Sequence, residues 1–213
     1  MSEPGDDPVE RALAPLRELV ALSQTGLAFT KDPYDRERYI RLREIVEELL
    51  RTPPSANPAF DPGVLLGSEK GYATPKVDVR GAAFRDGRIL MVRERSDGLW
   101  TLPGGWCDVN TSPSESVVKE IREESGFEAR PVKLAALLDR RKHPHPMQFH
   151  HIYKLYFLCE LTGGQVQTSL ETDGADFFAE DALPPLSTGR ITQGQIQLMF
   201  RHERERQLPT TFD

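Results

Sequence analysis

The sequence predicts an α+β fold preceded by an N-terminal helical hairpin. Three observations carry this reading: helical apolar periodicity across residues 9–51, a stretch rich in Pro, Gly and Ser over 52–76, and a mixture of strand-like runs with few helices from Val77 onward. The 213 residues are 38% apolar and 28% charged, with both signs interspersed. That composition belongs to a chain that buries a core, and it excludes wholesale disorder. No run of about 18 uncharged apolar residues occurs and the opening MSEPGDDPVE is acidic, so neither a membrane span nor a secretory leader is expected. A net charge of −6 disfavours long nucleic acid as a partner, because phosphate-backbone binding draws on an excess of Lys and Arg. Two cysteines, Cys107 and Cys159, without a CxxC pair fit a reducing, cytoplasmic setting as small inert residues.

Taken in order, Ala12, Leu13, Leu16, Leu19 and Val20 recur at helical spacing, and Gly26 is expected to break that helix. A second helix starts at Asp32-Pro33, carries Tyr39, Leu42, Ile45, Val46, Leu49 and Leu50, and stops at Thr52-Pro53-Pro54. So small a hairpin cannot bury both apolar stripes by itself and needs the rest of the chain or a second copy. Residues 1–66 are therefore read as hairpin plus linker and 67–213 as the main domain. In the latter, VDVRGAAF and ILMVRE flank an Asp86-Gly87 turn signal as a hairpin. Further strands are expected at 132–138, 152–161 and 177–178, and a last helix from Thr192, where Gln195 completes a capping box.

The informative stretch is LPGGWCDVNTSPSESVVKEIREESGF, residues 102–127. Ser112, Pro113 and Glu115 form a helix start, and Gly126 is a natural residue to follow its end. On that helix Val117, Val118 and Ile121 share one arc while Glu120, Glu123 and Glu124 share the next. Like charges three and four residues apart weaken a helix by about 0.2–0.5 kcal/mol per pair, and the macrodipole also disfavours anions near its C-terminal end. A divalent cation reverses that sign, since Mg²⁺ or Mn²⁺ takes oxygen ligands together with water and phosphate. The plain structural alternative is a solvated acidic face partly neutralised by Lys119 and Arg122. The preceding Leu-Pro-Gly-Gly favours the cation, because glycine backbone admits close approach to an ion or phosphate.

This stretch resembles the Nudix box: Gly, five residues, Glu, seven residues, Arg-Glu-aliphatic-x-Glu-Glu-x-Gly-aliphatic. Gly105, Glu120, Ile121, Glu123, Glu124, Gly126 and Phe127 stand at the family's spacings. Two positions depart: the first Glu is Thr111, and the Arg is Lys119, which offers a point charge in place of a bidentate contact. Glu115 points away from the acidic arc and is no obvious substitute for the missing Glu.

The resemblance implies a Nudix αβα sandwich with a mixed sheet. It also implies Glu120 and Glu124 as metal ligands for Mg²⁺ or Mn²⁺, Glu123 as a further ligand or catalytic group, and the Gly104 carbonyl as an additional ligand. Lys119 takes the place of the family's orienting arginine. Glu171, in a loop acid position, is the first choice of general base and Glu123 the second. Arg80, Arg140, Trp106 and His143 are the expected substrate contacts. His143, His145, His150 and His151 otherwise read as solvent-facing loop residues, since Pro144 and Pro146 and the lack of Cys/His spacing disfavour a zinc site.

The narrower likeness is to the ADP-ribose and CDP-choline pyrophosphatases, whose N-terminal helices are associated with dimerisation. The expected activity is hydrolysis of a nucleoside diphosphate linked to X, giving nucleoside monophosphate and phosphoryl-X. The competing reading is a nucleotide-sensing or regulatory module that binds without turnover, which the departures at Thr111 and Lys119 leave open.

Overall fold

A computed structural model of the chain describes residues 8–51, 71–108 and 110–213. Residues 52–70 of the expected linker lie outside the described residues. The chain divides into one unit of Met1–Lys76 with Met147–His151 and another of Val77–Pro146 with Ile152–Asp213.

In the first unit α1 (Pro8–Phe29) and α2 (Pro33–Arg51) form the expected hairpin. Asp32 caps α2 as its Oδ1 accepts from the Tyr34 and Asp35 N–H groups at 2.8 and 2.9 Å. Leu13, Val20, Val46 and Leu50 bury together around Phe149, a residue the sequence assigned to no core. The expected break at Gly26 does not occur: α1 runs through it for three more residues. A Cβ at Gly26 would stand 2.3 Å from the Tyr39 ring, so this glycine serves the close packing of the two helices and not a turn.

The second unit is the α+β domain. Strands β1 (Lys76–Arg85) and β2 (Arg88–Glu94) pair antiparallel through a turn in which Asp86 and Gly87 take φ of 51° and 71°. They are followed by β3 (Trp100–Thr101), α3 (Pro113–Ser125), β4 (Phe127–Asp139), a 3₁₀ turn (Arg140–Lys142), β5 (Ile152–Gly164), β6 (Thr172–Phe178), α4 (Gln193–Arg204) and β7 (Thr211–Phe212). The sheet order is β3-β2-β1-β5-β4-β7 with β6 on β2, and it is mixed because β7 joins β4 in parallel.

Alternation along the strands builds a core on each face. Ala82, Ile89 and Met91 pack with Ile196, Met199 and Phe200 of α4, while Val79, Ala83 and Leu90 pack with Val117 and Ile121 of α3. The result is the helix–sheet–helix sandwich that the resemblance implies. Details of the strand assignment differ. β3 and β7 were unforeseen, β4 begins five residues earlier than expected, and β6 five residues earlier.

Candidate active site

Helix α3 begins with the foreseen capping box. The Glu115 N–H donates to Ser112 Oγ at 3.3 Å, and Glu115 Oε2 accepts from the Ser112 N–H at 2.8 Å. Glu115 is thereby committed to the helix start, and Thr111 bridges the loop before it, bonding the Asp108 carbonyl at 2.8 Å and Ser116 Oγ at 2.7 Å. At the other end Gly126 adopts φ 77° and its N–H returns to the Arg122 carbonyl. Val117 and Ile121 are fully buried, which fixes the rotation of α3 and leaves Glu124 buried, Glu120 half-buried and Glu123 exposed.

The Leu-Pro-Gly-Gly turn lies against β1. Val79 and Gly81 donate to the Gly105 and Pro103 carbonyls, both at 2.8 Å. Gly104 takes φ 144°, and a Cβ there would sit 2.0 Å from the Val79 carbonyl oxygen, so only glycine fits. A Cβ on Gly105 would come within 3.3 Å of the Glu120 carboxylate. The second glycine thus gives that acid its room. Of the turn's carbonyls, those of Leu102, Pro103 and Gly105 accept bonds from within the protein, whereas no bond reaches the Gly104 carbonyl among the described residues.

Glu124 accepts the Gly104 N–H at 2.8 Å. Burial pushes its carboxyl up to about 8 against the pull of Arg80, and Glu120 and Glu94 push in the same direction. Burial likewise raises Glu120 and Glu94, and Glu171 adds to both. Four carboxylates therefore crowd one region with less positive charge than they need. Among the described residues no three His, Cys, Asp or Glu side chains close on a single point. Such a region suits a hard cation that keeps part of its water shell and takes a backbone carbonyl, and among the described residues no donor reaches the Gly104 carbonyl.

Glu94 was missed by sequence reasoning. It ends β2 as one more acid in RERSD, and only the fold brings it beside α3, with Arg190 Nε at 3.0 Å from its Oε1. Glu171 is exposed on the loop before β6, where its N–H donates to Ser169 Oγ at 3.1 Å. Thr172 beside it donates to the Glu124 carbonyl at 2.6 Å, tying that loop to α3. Lys119 lies 2.7 Å from Asp108 Oδ2 and 4.0 Å from Glu123 Oε2.

Trp106 is 48% exposed and pairs through its backbone with Asp78. The other expected substrate contacts are engaged within the protein. Arg80 is buried, with its Nε and Nη2 on the two Asp78 oxygens at 3.0 and 2.7 Å and Nη1 on the Leu102 carbonyl at 3.1 Å. Arg140 is also buried and donates to the Pro146 and Gly189 carbonyls at 2.7 and 3.3 Å. His143 bonds Asp213 at 3.1 Å.

His145 departs from the expected solvent-facing role. One ring nitrogen meets the Thr188 carbonyl at 2.8 Å and the other meets Gln195 Nε2 at 2.9 Å, an arrangement that suits the neutral ring. Burial lowers its pKa to about 4. Cys159 is buried with its thiol pushed up to about 12, in keeping with an inert residue.

Comparison with known proteins agrees with this geometry. Residues 74–199 match the NUDIX domain, and residues 10–58 match the UDP-X-like, N-terminal oligomerisation domain. A putative ADP-ribose pyrophosphatase, YjhB, of Bacillus subtilis is 49% identical over 193 residues, covering 91% of this chain and 92% of that protein. A solved UDP-X diphosphatase is 37% identical with a TM-score of 0.63, over 94% of this chain and 97% of its own. An ADP-ribose pyrophosphatase from Streptococcus suis 89-1591 is 43% identical with a TM-score of 0.61, over 66% of this chain and 100% of its own.

Proposed function

Because the chain belongs to the Nudix hydrolase family, we propose that Glu120 and Glu124, with the Gly104 carbonyl, hold the divalent cation with which it works. The enzyme hydrolyses the pyrophosphate bond of a nucleoside diphosphate linked to X. Mg²⁺ is the assigned ion, with Mn²⁺ as a substitute. When bound, it neutralises diphosphate charge and makes water a stronger nucleophile. Glu123 adds a ligand or water contact at the exposed edge of α3. Glu171 receives the proton of the attacking water, with Glu123 the second candidate. As the water's oxygen bonds to one phosphorus, the bridging P–O bond breaks to give nucleoside monophosphate and phosphoryl-X. Lys119 steadies the loop at Asp108, and Trp106 stacks the base.

The single observation carrying this reading is a buried Glu124 whose charge is disfavoured in the protein alone. A carboxylate placed so, beside Glu120 and Glu94, is an unfavourable arrangement until a cation arrives.

The substrate class we assign is the ADP-ribose type, with CDP-choline and UDP-linked compounds as the nearest alternatives. Residues 1–66 serve as the dimerisation element and 67–213 as the hydrolase. Leu22, Phe29, Tyr34 and Leu49 on the hairpin are more than half exposed, an apolar surface a second copy would cover. The enzyme works in the cytoplasm.

The test is product analysis over ADP-ribose, CDP-choline and UDP-sugars with Mg²⁺ or Mn²⁺. Nucleoside monophosphate is expected from at least one compound, and not from the Glu124→Gln variant. Binding across the panel with no product would instead establish the sensing module.

A further inference from the structure

The family's box arginine is absent, and Lys119 in its place is drawn outward to Asp108. No bond joins it to Glu120 or Glu124 among the described residues. A different cation stands behind those acids. Arg80 rises from β1, 4% exposed, and its planar guanidinium is locked by two parallel bonds to Asp78. Asp78 Oδ1 also accepts from Lys154 Nζ of the neighbouring strand β5 at 2.5 Å. One carboxylate thus holds two buried cations, and the trio carries a net positive charge. The remaining edge of Arg80 gives Nη1 to the Leu102 carbonyl. Two residues on, the Gly104 N–H holds Glu124. Arg80 therefore reaches the acids through the turn as well as through its field.

We propose that Arg80, fixed by Asp78 and Lys154, is the positioning cation of this site and fills the role that Lys119 has left. It sets the Leu102–Gly104 turn so that the Gly104 carbonyl and Glu124 meet one ion, and its net positive cluster offsets the crowding of the carboxylates. This rests on the metal-site reading above.

Lysine at position 80 keeps the charge but cannot span Asp78 and Leu102 together. Arg80→Lys is expected to weaken Mn²⁺ binding by calorimetry about 10-fold and to lower kcat about 100-fold, with KM changed less than about 3-fold. Lys119→Met is expected to lower kcat by less than about 5-fold. In the metal-free protein, exchange of the Gly104 amide should speed up about 10-fold in Arg80→Lys and stay unchanged in Lys119→Met. Should Arg80→Lys fail to fold, Lys154→Met replaces it, loosening the clamp while leaving Arg80 on Asp78. Its expected signature is faster Gly104 exchange with weaker Mn²⁺ binding.

Near-normal Mn²⁺ binding and Gly104 exchange in the Arg80 and Lys154 variants, with a large loss in Lys119→Met, would overturn the assignment. If the unaltered protein bound no Mn²⁺ and hydrolysed nothing, the metal-site reading would fail. The exchange measurement would still decide whether Arg80 holds the turn.

Discussion

Helices α3 and α4 begin alike and end differently. Each opens with a complete capping box, Ser112 with Glu115 and Thr192 with Gln195, and each seals one face of the same sheet with fully buried isoleucine. The last turn of α4 carries Arg201 and Arg204 against one Glu203, cations where the macrodipole favours them. The last turn of α3 carries Glu123 and Glu124 against one cation, Arg122, and there the macrodipole disfavours ionised carboxylates. The unequal ends put two carboxylates on α3 at some cost in stability, which a cation bound as proposed would offset.

The largest expected effect is at Glu124. Glu124→Gln should lower turnover by about 10³-fold while making the metal-free protein more stable at alkaline pH. The sign follows from the raised pKa. With a folded value of about 8 against an ordinary 4.5, the carboxyl's stabilising protonation is complete below about 4.5 and lost as pH rises through about 8. Thermal melts without metal from pH 5 to 8.5 should show the unaltered protein losing more than Glu124→Gln. Equal slopes would remove the asymmetry between the helices.

Cavities come next. Ile121→Ala and Ile196→Ala should each cost about 2–5 kcal/mol in urea unfolding, since both side chains are wholly buried. Only Ile121→Ala should also weaken Mn²⁺ binding in the folded protein, because it loosens the acids' seat. An equal loss in both would mean that α3 holds no special position.

A pH effect of opposite sign is expected on the α4 side. His145, with a folded value of about 4 against 6.5, stays neutral in the native state while the unfolded chain takes up its proton first. Its contribution is present above pH 6.5 and lost as pH falls from there toward 4. His145→Asn should flatten the melting temperature across that window, and an unchanged slope would count against the neutral ring bridging Thr188 and Gln195. Smallest are the caps: Ser112→Ala and Thr192→Ala should each cost about 1 kcal/mol in the same unfolding assay. A markedly larger loss at one end would show that the two starts are not equivalent.

The parts legible in the sequence are those written in neighbouring residues. Asp86-Gly87, Ser112-Pro113 with Glu115, and Thr192 with Gln195 encode a turn and two helix starts through local bonds, and all three stand as read. The arc of Glu120, Glu123 and Glu124 is equally local. What escaped depends on distant partners. Two-residue β3 and β7 exist because β2 and β4 offer edges to pair with. Gly26 looked like a break because Tyr39, which requires its missing side chain, lies on another helix. Glu94 looked like any surface acid, and His145 like any loop histidine, until the fold set Arg190 and Gln195 beside them. Arg80 was expected to contact substrate, and its bonds to Asp78 and Leu102, which engage it within the protein instead, are visible only in three dimensions.

The most direct measurement is the proton count on Mn²⁺ binding, obtained by calorimetry at pH 7 in two buffers of different ionisation enthalpy. A buried Glu124 protonated in the metal-free state should release close to one proton for each ion bound, and Glu124→Gln should release none at that position. Binding heat that is absent, or a proton release identical in the two proteins, would contradict the assignment of this helix face as the cation site.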